Sequence, residues 1–172
     1  MDRLEKEKLE KRRQETSLKA MYFNRFLLIR YITSGFFFVN LYWFFSLMMS
    51  NTIWGIVPAV NLVFITIAAF EQSSMVSLPI DNAKKTILAY KEILIVNILL
   101  IVTLVTPLFK DLFPFLTISI KSHCLVLGII IIGIIFCLIS LKRLDKIKNC
   151  TDKQFKYVKK YEQAIKYEKG RI

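Results

Sequence analysis

Four runs of nearly uninterrupted apolar residues divide the chain, and the charged residues collect between and outside them. A helix needs about 20 mostly apolar residues to cross a bilayer, and each run approaches that length. Strands are excluded because a membrane barrel needs alternating apolar and polar residues, whereas these runs are apolar on every side. The pattern predicts an all-α, polytopic integral membrane protein with a four-helix transmembrane bundle. The predicted spans are 31–49, 53–70, 93–109 and 124–141, with an earlier start at Ile87 as an alternative for the third.

The charged segments on either side of the apolar runs define the domain organisation. Residues 1–19 alternate acids and bases, which favours a solvated helix with i,i+4 ion pairs, and residues 1–25 are predicted to form a charged cytoplasmic helix. Residues 26–141 form the transmembrane domain, and residues 142–172 form a basic, amphipathic cytoplasmic tail. The first apolar run is long and no small-residue cleavage site follows it, so no processing of the amino terminus is expected.

Positive charge lies almost entirely on one side of the predicted bundle. Of the 25 Lys and Arg residues, 23 fall in residues 1–30, 71–92 and 142–172, which share one side of a four-span protein. Basic residues accumulate on the cytoplasmic side of a membrane, so both termini are expected in the cytoplasm, beside anionic inner-leaflet lipids. Arg25 and Arg30 are expected to extend from the inner end of the first span to the lipid headgroups.

Three asparagines fall near the middle of three different spans: Asn40, Asn61 and Asn97. Hydrocarbon offers an amide no hydrogen-bond partner, so these side chains are expected to face one another or the interior of the bundle. Two interpretations stay open, structural pairing of helices and a polar layer that binds or conducts a small ligand. Pro58, three residues before Asn61, predicts a kink in the second span because its ring removes one backbone hydrogen bond.

The positions of the charged residues near the spans disfavour one class of transporter. Glu71, Lys91 and Glu92 are placed at the inner ends of the second and third spans, as end charges that reach water. No Asp or Glu is placed in the middle of a span, where proton-coupled carriers usually keep one. A proton-coupled exporter is therefore disfavoured.

Residues suited to catalysis or metal binding are sparse. The sequence has no Gly-rich phosphate loop and no GxSxG or HExxH motif. The single histidine, His123, is expected to form hydrogen bonds at the outer interface, with a pH-responsive group as the alternative. Cys124, Cys137 and Cys150 lack CxxC spacing and are expected to be buried side chains or free thiols. We expect no enzymatic activity, cofactor or metal.

The tail combines a basic face with an apolar one when it is drawn as a helix. Apolar residues share one arc, which Glu162 interrupts, and lysines take the opposite arc. Such a helix either lies along the anionic inner leaflet or docks on a cytoplasmic partner. No nucleic-acid partner is expected, because sorting of positive charge to the inner side accounts for the lysines. The residues expected to make these contacts are Lys153, Phe155, Lys156, Val158, Lys159, Lys160, Tyr161, Ile165 and Lys166.

The stretch Glu15–Trp43, ETSLKAMYFNRFLLIRYITSGFFFVNLYW, resembles the opening of a group of small four-span membrane proteins of low-GC Gram-positive bacteria. Some members of that group carry the label of a cellobiose phosphotransferase IIA subunit. That IIA family is soluble and helical and is phosphorylated on a histidine within its bundle, whereas His123 is expected at the outer interface. The resemblance covers about a sixth of the chain. It implies a bacterial plasma membrane and no particular activity.

These features favour a non-enzymatic small membrane protein that acts as an accessory, regulatory or immunity-type partner of another membrane component. The expected partners are the lipid bilayer and either another membrane protein or a second copy of the chain. The alternative is a small oligomeric transporter or channel with a polar path at Asn40, Asn61 and Asn97.

Overall fold

The computed structural model describes residues 3–75 and 83–169, which form helices and connecting turns with no strand among them. A 3₁₀ turn, Ile53–Gly55, precedes the second helix. Four helices, α1, α2, α3 and α5, contain windows long and apolar enough to cross a membrane, which confirms the predicted all-α fold. The helices are α1 Arg3–Met49, α2 Ile56–Ser74, α3 Lys84–Thr103, α4 Phe109–Leu112, α5 Ile120–Lys148 and α6 Lys153–Lys169.

α1 joins the charged amino-terminal segment and the first apolar run in one unbroken helix of 47 residues. The sequence predicts two units that divide near residue 25, but nothing there interrupts the helix. The stretch contains no proline, and its one glycine, Gly35, lies within the apolar run. At 1.5 Å per residue the helix is about 70 Å long, more than twice the thickness of a hydrocarbon core. Its amino-terminal part therefore projects well beyond the apolar bundle.

The long helices pack in the order in which the chain presents them. α1 packs against α2, α2 against α3, and α3 against α5, while α5 also contacts α1 and so closes the bundle. Two clusters of buried apolar residues fill the interior. One surrounds Ile29 and Tyr90, near the projecting part of α1, and we call this side the arm end. The other surrounds Trp43 and Ile130, near the turn between α1 and α2, and we call this side the hairpin end.

α3 begins nine residues earlier and ends six residues earlier than the predicted third span, 93–109. The early start has a cause outside the helix. Glu71, near the end of α2, accepts hydrogen bonds from the backbone N–H groups of Lys85 and Thr86, at 3.0 and 2.6 Å. A carboxylate there satisfies donors that a first helical turn leaves without partners. At the other end, Pro107 cannot continue a helix, so the chain turns before it reaches α4.

α6 packs against the projecting part of α1. Val158 is fully buried between the two helices, and the hydroxyl of Tyr22 on α1 donates to Oε1 of Glu162 at 3.3 Å. The carboxylate that interrupts the apolar arc of the tail therefore meets a hydrogen-bond donor on α1. We call α6 together with residues 3–25 of α1 the arm.

Candidate functional site

Two of the three mid-span asparagines lie together inside the bundle. Nδ2 of Asn61 on α2 donates to Oδ1 of Asn40 on α1 at 2.9 Å, and both side chains are buried. Nδ2 of Asn40 donates in turn to the carbonyl oxygen of Phe36, one turn back, at 2.9 Å. Oδ1 of Asn61 has no partner among the described residues. The pair joins α1 to α2 at the middle of the apolar run.

Asn97 lies apart from this pair, so the predicted layer of three amides is a pair and a separate residue. Its Nδ2 donates to the carbonyl oxygen of Ile93 in its own helix at 2.8 Å. Its Oδ1 lies 3.1 Å from the position that a Cβ atom on Gly133 of α5 would take. α3 packs between α2 and α5, and Asn97 faces the α5 side. Its amide marks a close approach of α3 and α5, which the absence of a side chain at Gly133 permits.

Pro58, for which the sequence predicts a kink, lies at the beginning of α2. It is the third residue of α2, in the first turn, where backbone N–H groups have no partner within the helix. Its missing donor therefore removes no helical hydrogen bond, and the ring begins the helix instead of bending it. The irregularity in this region is the 3₁₀ turn Ile53–Gly55 that precedes α2.

A network of uncharged polar side chains joins three helices at the arm end. The hydroxyl of Tyr90 on α3 lies 2.9 Å from Oγ1 of Thr33 and donates to the carbonyl oxygen of Ile29 at 3.1 Å, both on α1. Nε2 of Gln72 on α2 donates to Oγ1 of Thr33 at 3.0 Å. Arg30, expected to reach the headgroups, donates to the carbonyl oxygen of Gln72 at 2.7 Å. Sequence reasoning missed this network, because one Thr, Gln or Tyr near the end of a span carries no signal of its own.

The sequence predicts that Arg25 extends to the lipid headgroups, and this prediction is wrong because the side chain is buried. It is 1% exposed, and its guanidinium forms a two-pronged ion pair with Asp152, Nε to Oδ2 at 3.1 Å and Nη2 to Oδ1 at 2.9 Å. Nη2 also lies 3.4 Å from the carbonyl oxygen of Ile147 at the end of α5. Oδ2 of Asp152 accepts the backbone N–H of Phe155 in the first turn of α6 at 3.1 Å. The pair therefore joins α1, the end of α5 and the start of α6.

The tail residues predicted to contact a membrane or a partner divide into two groups. Phe155 and Val158 face α1, the Phe155 ring lying 4.8 Å from the Arg25 guanidinium carbon, so the chain itself covers much of the apolar arc. Tyr161 and Ile165 are half-buried. The side chain of Lys166 lies outside the described part of the chain. The exposed residues of this set are Lys153, Lys156, Lys159 and Lys160.

Glu92 is also placed differently from the prediction. Because α3 starts at Lys84, Glu92 is the ninth of its 20 residues and not an end charge. It lines a groove of about 440 Å³ between α2 and α3, whose other lining includes Trp54, Val60 and Leu99. Its Oε2 is buried and has no hydrogen-bond partner among the described residues.

Aromatic rings fill the hairpin end. Trp43 on α1 stacks on Phe113 with ring centroids 5.7 Å apart, and its Nε1 donates to the carbonyl oxygen of Leu112 at 2.9 Å. His123 stacks on Phe109 with ring centroids 4.0 Å apart, and its Nδ1 lies 2.9 Å from the carbonyl oxygen of Ser119. The predicted interfacial histidine is therefore part of the ring cluster that packs α4 against α5.

Within the described ranges, no three His, Cys, Asp or Glu side chains come together as a metal site. Cys124 is exposed, Cys137 is buried and Cys150 is half-buried, and none of them forms a disulfide. Comparison of the chain with protein-family models, with curated proteins and with solved structures gives no match. Functional inference therefore starts from the geometry of the chain itself.

Proposed function

We propose that the chain is a multi-pass protein of a bacterial plasma membrane, with both termini in the cytoplasm. It acts there as a non-enzymatic accessory, regulatory or immunity-type partner of another membrane component. The arm is the contact site, and its exposed lysines bind an acidic cytoplasmic surface of that component.

The observation that carries this proposal is the way the arm is fastened to the bundle. The buried ion pair of Arg25 and Asp152 holds α6 against α1, and Val158 is fully buried between them. α1 covers Val158 fully and Phe155 in part, whereas Tyr157 is 63% exposed and Tyr161 and Ile165 are half-buried, so α6 keeps only part of its apolar surface for contact with a membrane. What it offers outward is a row of lysines at i, i+3 and i+4 spacing on a rigid support. A fixed pattern of positive charge favours recognition of an acidic protein surface.

The alternative, a channel or carrier with a polar path, receives less support from the same interior. Asn40 and Asn61 are hydrogen-bonded to each other, and Asn97 faces α5. The groove between α2 and α3 is lined almost wholly by apolar side chains. A conducting path needs polar groups that are free to exchange partners with a solute or with water.

The proposal is tested by purifying the tagged, full-length protein from cells after mild chemical crosslinking and identifying the proteins that co-purify with it. A variant with Lys153, Lys156, Lys159 and Lys160 changed to Gln removes the four exposed charges of α6 and, at Lys159, one contact with the Phe155 ring. The matched control changes Lys84, Lys85, Lys110 and Lys121 to Gln, which removes the same charge elsewhere. The proposal expects a membrane component that is recovered with the wild type and the control and lost with the arm variant.

Two outcomes would contradict this function. One is an identical set of crosslinked proteins for all three forms. The other is solute or ion flux in liposomes that contain the purified protein alone, especially if changing Asn40, Asn61 and Asn97 to Leu abolishes it. Protease accessibility of tags at the two termini, in sealed vesicles of known orientation, tests the topology separately.

A further inference from the structure

Lys91 and Glu92 carry opposite charges at adjacent positions of α3, inside the apolar part of the bundle. The level follows from the hydrogen bond between Tyr90 and Thr33, because Thr33 already belongs to the apolar run of α1. Glu92 lies two residues farther toward the hairpin end, about 3 Å along the helix. Lys91 is exposed at the same level. Charges at this depth are costly in hydrocarbon unless they find partners.

Neither residue has a charged partner among the described residues of the same chain. An ion pair between described residues joins Arg25 to Asp152, at the arm, and involves neither Lys91 nor Glu92. A lysine can extend its stem toward the headgroups, but a glutamate is shorter, and Oε2 of Glu92 is buried without any hydrogen-bond partner. Oε2 of Glu92 therefore lacks a donor among the described residues, and a second molecule could supply one.

The exposed face of α3 shows how such a donor would arrive. Leu88, Ile95 and Val102 are spaced seven residues apart and are 57%, 58% and 61% exposed. Seven residues are nearly two helical turns, so these side chains form one stripe along the helix. At 100° per residue, Lys91 lies about 50° to one side of the stripe and Glu92 about 50° to the other.

We propose that this stripe is a self-association surface, on which a second copy of the chain packs its own α3 in the same orientation. Lys91 of each copy then pairs with Glu92 of the other. Two copies inserted with one topology present equal residues at equal depth. A two-fold axis parallel to the two helices brings the Lys91 side of one stripe opposite the Glu92 side of the other.

Charge complementarity favours a second copy as the occupant, because the chain itself supplies a cation at the required depth and on the required flank. The Lys91 side chain of one copy reaches the arm-end part of the groove of the other, where Glu92 lies. This proposal involves α3 and not the lysines of the arm, so it stands or falls separately from the function proposed above.

The test uses full-length protein with donor or acceptor fluorophores at the carboxyl terminus, in liposomes of phosphatidylethanolamine and phosphatidylglycerol. Energy transfer is followed as the protein-to-lipid ratio falls. Lys91→Glu and Glu92→Lys, each alone, place like charges across the two-fold. Each is expected to raise the ratio needed for half-maximal transfer roughly tenfold or more, on the scale of interhelical polar contacts.

The decisive measurement is made on a mixture of the two single variants. A Lys91→Glu copy carries two acids and a Glu92→Lys copy carries two bases, so both ion pairs form again in the mixed pair and transfer returns. The double variant Lys91→Glu with Glu92→Lys also recovers transfer with itself. Lys121→Glu, on α5 and away from the stripe, is the matched control and is expected to behave as the wild type.

A second measurement does not depend on charge reversal. With Cys124 and Cys150 changed to Ser, Ile95→Cys is expected to form a disulfide-linked dimer under mild oxidation, whereas Ile135→Cys, on an exposed face of α5, is not. The proposal is overturned if wild-type transfer does not exceed that of a non-associating membrane protein at the same density. It is also overturned if the single reversals leave transfer unchanged, or if the mixture fails to recover it.

Discussion

The two ends of the bundle are held together by different kinds of contact. At the arm end, side chains of α1, α2 and α3 form a hydrogen-bonded network around Thr33, and an ion pair fastens α6. At the hairpin end, Trp43 stacks on Phe113 and His123 stacks on Phe109, with few side-chain hydrogen bonds between the described helices. Hydrogen bonds are directional and fix the register of neighbouring helices, whereas apolar packing tolerates adjustment. A substitution at the arm end is therefore expected to lower the free energy of unfolding more than a comparable substitution at the hairpin end.

The largest effect is expected from Arg25→Leu, which leaves Asp152 without its partner. Removing one member of a fully buried ion pair typically costs about 3 to 5 kcal/mol, and we expect the lower end of that range because Asp152 is 12% exposed and keeps the backbone N–H of Phe155. The measurement is the free energy of unfolding in detergent, together with the protease sensitivity of the segment joining α5 to α6. Arg12→Leu, an exposed site on the same helix, is the control. Equal stability of the two variants would show that the ion pair of Arg25 and Asp152 is not a main stabilising contact of the arm.

Tyr90→Phe is expected to come second, because it removes a hydroxyl that contacts both Thr33 and Ile29. The loss of a hydrogen bond in a buried network costs about 1 to 2 kcal/mol. The same unfolding assay measures it, and Tyr31→Phe, at a 69% exposed tyrosine on α1, is the matched control. A loss no greater than that of the control would mean that the network adds nothing to packing.

Trp43→Phe probes the hairpin end with a smaller expected cost of about 1 kcal/mol or less. The ring stack on Phe113 is kept in part, while the hydrogen bond to the Leu112 carbonyl is lost. Trp54→Phe is the control, since it removes an indole at the same end of the bundle. If Trp43→Phe destabilises the protein more than Tyr90→Phe, the contrast between the two ends is reversed.

The smallest difference is expected between Asn61→Ala and Asn97→Ala. The first removes a hydrogen bond between α1 and α2, worth about 0.6 kcal/mol in membrane bundles. The second removes a bond within one helix, and alanine is the better helix former, so a change near zero is expected. Unfolding measurements on both variants test whether the amide pair joins the helices.

Sequence reasoning reached the number of long helices and most of their positions, because an apolar run of spanning length carries its own signal. It missed the limits of α3, which depend on Glu71 accepting hydrogen bonds from a different segment of the chain. It also missed the partners of Arg25 and Phe155, since periodicity shows that a face is apolar but not which neighbour covers it. Glu92 was misplaced for the first reason, because the early start of α3 makes this residue the ninth of the helix.

The continuity of α1 carries a consequence for how its length can vary. Inserting one residue between Tyr22 and Arg25 would turn everything before it by about 100° relative to the bundle. The hydroxyl of Tyr22 would then point away from Glu162 while Arg25 kept Asp152. An insertion of seven residues, close to two full turns, restores the facing but shifts it by about 10 Å. Neither insertion keeps both the Tyr22–Glu162 contact and the Arg25–Asp152 ion pair, so the packing of α6 fixes the number of residues between Tyr22 and Arg25.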